Sequence, residues 1–113
     1  MADPSPPLDE EARSFPITAL LQKILDDAVE AGVSRLTLVP HDKWSQVLHY
    51  VDGEAQEVMT PTKFAYPALS RRLRLLVEAD PRNPGAFVHG AVQVRATFQP
   101  GEHGDTVHLT LSS

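Results

Sequence analysis

With 113 residues, 42% hydrophobic and 22% charged, the chain has the composition of one globular domain with a single core. A net charge of −5 argues against nucleic acid as a partner, and no apolar run reaches the roughly 18 residues of a membrane span. With no cysteine there is no disulfide or thiol chemistry, which suits a cytoplasmic setting.

Residues 1–14 hold Pro4, Pro6 and Pro7 among Asp3, Asp9, Glu10 and Glu11. So many prolines and acids leave little to bury, which predicts a flexible acidic leader ahead of one domain over 15–113. A first helix is predicted over 16–31. Ile17, Leu20, Leu21, Ile24, Leu25, Ala28 and Val29 recur at helical spacing, Pro16 suits the first turn, and Gly32 suits the left-handed position past the end. Asp26, Asp27 and Glu30 fall off the stripe and read as a solvated face, not a metal set.

Three short strands follow. In Arg35–Pro40, Leu36 and Leu38 share one face while Arg35, Thr37 and Val39 share the other. The second strand, Gln46–Val51, and the third, Ala55–Met59, flank Asp52-Gly53, a type I′ hairpin signal that asks for φ > 0 at both central positions. Thr60-Pro61-Thr62 breaks the chain before a second helix, which starts at Lys63 or nearer Tyr66 and ends at Ala79. Leu69, Leu73, Leu76 and Val77 make its apolar face, with Phe64 and Ala65 at its beginning. Asp80–Gly85 is a loop. Ala86–His89, the alternating Val92–Phe98 and the alternating Val107–Ser112 are three more strands. The order α-β-β-β-α-β-β-β predicts an α+β fold, a mainly antiparallel sheet covered by two amphipathic helices. Leu20, Ile24, Leu38, Val47, Leu73, Leu76, Val94 and Leu109 are its predicted core.

No catalytic set emerges. The sequence holds no G-x-x-x-x-G-K-[ST] phosphate loop, and Ser34, Ser45 and Ser70 lack a nucleophile-elbow context. His41, His49, His89, His103 and His108 fall on different elements without metal-ligand spacing, so no metal and no cofactor is expected. Asp52 is explained by the hairpin. Trp44 offers a stacking surface with Arg35, although packing at the sheet edge is the commoner role of a lone Trp before a strand. The one basic concentration is Arg71, Arg72 and Arg74. Arg71 and Arg74, three apart, share a helix face, and together with Arg95 they form the candidate interface for a protein partner or a second copy of the chain.

The runs A-G-V-S-R-L-T-L-V-P, V-L-H-Y-V-D-G-E-A-Q-E-V-M, P-A-L-S-R-R-L-R-L-L and V-Q-V-R-A-T-F-Q-P-G-E-H-G-D-T-V-H-L-T-L stand in an order that means more than any one of them. Over about residues 16–112 the chain resembles the PAS-like domain preceding the ATPase core of type II secretion and type IV pilus assembly ATPases. Departures accompany the likeness. Arg35 and Thr37 stand where the family has Asp and His, Val39 replaces Glu, and Leu48 and Tyr50 take two Arg places. Gln93 replaces Asp, and the family's P-Q-D-G-R segment is reduced to Arg82-Asn83-Pro84-Gly85. Family arginines in these strands approach nucleotide at subunit boundaries. Of these Arg95 remains in register, and Arg82 is a second remnant. The resemblance implies a non-catalytic interaction or regulatory module of a secretion, pilus or motility system, either a stand-alone relative or a piece of a larger ATPase. The competing reading is a PAS-like small-molecule sensor or a small enzyme with a pocket between sheet and helices.

Overall fold

The computed structural model describes the backbone of residues 6–113 and the side chains of residues 16–113. Of the expected leader, residues 1–5 and the side chains of 6–14 lie outside the described residues. Helix α1 spans Pro6–Glu30, so Pro16 sits inside the helix and not in its first turn. A proline there donates no N–H, and the helix runs through it one backbone hydrogen bond short.

Beyond α1 come β1 (Arg35–Pro40), β2 (Ser45–Val51), β3 (Glu54–Met59), α2 (Ala65–Glu78), β4 (Ala86–His89), β5 (Val92–Gln99) and β6 (Thr106–Ser112). This is the order predicted from the sequence. All pairings are antiparallel, and the six strands form one sheet in the order β3-β2-β1-β6-β5-β4. The chain therefore begins its sheet in the middle, builds outward through two hairpins, and returns to the centre with β6.

The Asp52-Gly53 turn has φ of 54° and 83°, the left-handed pair that a type I′ hairpin needs. It fixes the β2–β3 register, in which Val51 faces Glu54 and Tyr50 faces Ala55. Gly32 ends α1 at φ 71°, where an L side chain is strained.

Register decides which side chains meet the helices. Leu36 lies opposite His49 and Leu109, and Leu38 opposite Val47 and Val107. Those residues with Val94 and Ala96 pack against Leu21, Ile24, Leu25 and Ala28 of α1 and Tyr66, Leu69, Leu73 and Val77 of α2. Each fully buried aliphatic side chain contributes about 1.5–3 kcal/mol. Of the predicted core, Ile24, Leu38, Val47, Leu73, Val94 and Leu109 are buried, while Leu20 and Leu76 are half-buried at its margin.

Two apolar assignments need correction. Val29 is 42% exposed, because Ala28, one 100° step away, holds the centre of the α1 stripe against the sheet. Phe64 is 81% exposed, since it occupies the N-cap of α2 before the inward-facing turn begins. Its ring lies under the Lys63 ammonium, 5.4 Å from the centroid.

Candidate functional site

The three arginines nominated from the sequence do not share a surface. Arg74 is committed within the molecule: its guanidinium pairs with the Asp105 carboxylate and lies 4.2 Å over the Phe98 ring. It fastens α2 to the turn before β6. Arg71 and Arg72 are exposed and have no acidic partner among the described residues.

Arg95 belongs to the opposite side of the sheet. Its neighbour Val94 is fully buried under the helices, so the period of two turns Arg95 to the helix-free face. There it reaches toward the Pro84 carbonyl at 3.5 Å. The register adds an arginine that sequence reasoning placed elsewhere. Arg35 faces Thr110, which faces Arg95, so the two arginines lie in one row about 10 Å apart, two strand spacings. Arg35 sits 5.4 Å from the Tyr50 ring centroid, and not on Trp44 as the stacking idea expected. The next row holds Leu48, Thr37, His108 and Thr97. His108 lies 3.2 Å from the Thr37 hydroxyl and 3.3 Å from the Gln99 amide oxygen. Thr37 is buried there without a covering helix. Only strand pairing reveals this row, because its members come from four separate stretches of sequence.

The other histidines are dispersed. His89 bonds Asp26 at 2.7 Å, tying β4 to α1. His49 faces the helices, 5% exposed, and its Nε2 has no hydrogen-bond partner. Burial lowers its pKa, against a smaller raising effect of the Asp27 carboxylate. No group of three or more metal-ligating side chains gathers among the described residues.

A cleft of about 190 Å³ opens beside the start of α2. His41 stacks on Trp44 with ring centroids 4.2 Å apart, and its Nε2 lies 2.7 Å from the Gln46 amide oxygen. Lys63, His103 and Asp42 stand at its rim. Tyr66 lines its floor, with the hydroxyl 2.6 Å from the Asp105 carbonyl and 2.8 Å from the Leu38 carbonyl. Burial first, and the Asp105 carboxylate second, push the Tyr66 phenol well above its ordinary range. It is therefore a fixed hydrogen-bond donor and not an acid–base group. No local pattern signals this cleft, because its walls come from the β1–β2 loop, α2 and the β5–β6 turn.

No family model matches the chain. It is 26% identical over 111 residues to the type II secretion system ATPase E of Vibrio cholerae serotype O1, covering 90% of this chain. The chain spans 22% of that relative's length. The likeness relates the chain distantly to a secretion ATPase, over a segment much shorter than the whole. No helix of the described residues is long and apolar enough to cross a membrane.

Proposed function

We propose that this chain is a non-catalytic protein-interaction or regulatory module, related to the PAS-like N-terminal domain of type II secretion and type IV pilus assembly ATPases and working in the cytoplasm. The observation that carries the reading is the 26% identity to a secretion ATPase over 90% of the chain. The sheet built from the motif-bearing strands in their expected order supports it. The lack of a G-x-x-x-x-G-K-[ST] loop in the sequence supports the non-catalytic part of the reading. Arg71 and Arg72 on one side, and Arg35 and Arg95 on the other, have no acidic partner among the described residues and present cations to an acidic protein surface.

Purified protein is expected to show no ATP turnover above a no-protein control. Pairwise two-hybrid assays against each cytoplasmic component of the secretion and pilus systems of the same genome should return at least one specific pair. ATP hydrolysis that follows the protein through successive columns, or silence from every component, overturns the reading.

The cleft beside Trp44 favours a second reading, a small-ligand sensor. Trp44 is the only tryptophan, which makes its fluorescence a direct reporter of that cleft. A ligand at 100 times its dissociation constant adds about 2.7 kcal/mol of stability. A metabolite that raises the melting temperature and shifts Trp44 emission supports the sensor; melting shifts with unchanged emission place the ligand elsewhere.

A further inference from the structure

The two edges of the sheet are defended differently. At β3 the exposed Glu54, Gln56 and Glu57 lie along the edge, the usual guard against a foreign strand. At β4 the edge reads Ala-Phe-Val-His, with no carboxylate and no permanent cation, and Val88 is 69% exposed.

The hydrogen bonds show which β4 groups are open. Gly85 accepts from the Ala96 amide at 2.9 Å, so the alternation of an antiparallel ladder makes Phe87 and His89 the residues bonded to β5. Ala86 and Val88 then turn their backbone polar groups outward. The Ala86 amide is already used, donating to Asn83 at 3.3 Å. The Val88 N–H and C=O face the open edge.

Beside this edge, on the helix side, runs a groove of about 160 Å³ between α1 and α2. Leu21, Leu25, Leu76 and Phe87 line it, and Arg72, which has no acidic partner among the described residues, adds a cation to its wall. An added strand would place every second side chain over this groove.

We propose that the β4 edge receives an extended segment of a partner protein as a seventh strand. The segment carries apolar side chains at alternate positions, which enter the groove, and an acidic residue that meets Arg72. Backbone bonds to Val88 supply affinity, and the groove with Arg72 supplies selection. This deepens the interaction-module reading by naming the surface and the chemistry of what it holds.

Val88→Pro is the decisive variant. It deletes the outward N–H and replaces the Val88 side chain, which also lines the groove, but leaves the β4–β5 ladder bonds intact, as proline at a sheet edge allows. A phage-displayed library of random twelve-residue peptides is selected on the full chain, and enriched sequences are remade as synthetic peptides. The expected sequences alternate apolar residues and include Asp or Glu. Their dissociation constants should rise at least tenfold for both Val88→Pro and Arg72→Glu, with melting unchanged. They should also slow exchange of the Val88 amide in the wild-type chain, which decides the matter if Val88→Pro proves unstable. Failure to enrich above an uncoated support, or peptides indifferent to Val88→Pro that leave the Val88 amide exchanging freely, overturns the site. Dependence on Val88 without dependence on Arg72 overturns the acidic requirement. A two-hybrid pair that survives Val88→Pro keeps the module reading and removes β4 as its surface; β4-bound peptides with no two-hybrid pair do the reverse.

Discussion

The two faces of the sheet are written by alternate residues of the same strands, yet they obey different rules. Under the helices, Leu36, Leu38, Val47, Val94, Val107 and Leu109 are almost wholly removed from water. One step along β1, β5 and β6, Arg35, Arg95, Thr97 and Thr110 are exposed, while Thr37 on the same face is buried by its neighbours. The covered face tolerates little change because close-packed side chains have nowhere to move. The open face carries polar and charged side chains that packing does not require.

The covered face is the costlier one to disturb. Ile24→Ala should cost about 2–5 kcal/mol, read as a lower denaturation midpoint with unchanged slope. A loss within about 0.5 kcal/mol would mean that α1 does not face a core.

Gly53→Val attacks the turn that decides which residues belong to which face. Valine resists φ of 83°, so a loss of about 1–3 kcal/mol is expected. A one-residue slip of β2 would turn Leu48 and Tyr50 inward and Val47 outward. Unchanged melting would remove the turn from its role in setting register.

Ser45 and His49 are the polar side chains on the covered face of β2, and of the two His49 alone leaves a buried atom without a partner and responds to pH. Its folded pKa lies below its ordinary 6.5, so in acid the unfolded chain takes up a proton before the folded one does. Stability is therefore present above pH 6.5 and falls as the pH drops through that value toward the lower folded pKa. His49→Gln should flatten that part of the stability profile; a profile identical to wild type would show that His49 does not drive it.

The smallest effect belongs to the open face. Arg95→Ala should leave stability within about 0.5 kcal/mol of wild type, since the residue is exposed and its one polar contact among the described residues is a long hydrogen bond. A larger loss in thermal unfolding would mean that the open face also supports the fold.

The elements were legible in the sequence because their signals are local. The Ile24-centred stripe, the Asp52-Gly53 turn and the alternation of Val92–Phe98 each declare themselves within a dozen residues. Positions at the ends of those signals were not. Val29 extends the stripe by spacing but misses the sheet by rotation, and Phe64 looks like core until it proves to precede the first inward turn. The candidate site was the least legible part. Arg71 and Arg74 share a helix face by spacing, but no local pattern says that Asp105, 31 residues after Arg74, claims the second of them. Arg35 and Arg95 become neighbours only when β6 inserts between β1 and β5, a fact of topology that neither segment contains.

The double grip on Asp105 bears on how the molecule opens. Its carbonyl holds the Tyr66 hydroxyl and its carboxylate holds Arg74, so one residue is latched to two successive stretches of α2. Unwinding of α2 cannot proceed past either point without freeing the turn, and the turn cannot swing out without releasing the helix. The two form one cooperative opening unit, whose amides should exchange with deuterium at a common rate. Tyr66→Phe removes one latch and leaves the ring in the core. It should let the turn open ahead of the helix, splitting that common rate into a fast phase at residues 101–106 and a slower one in α2.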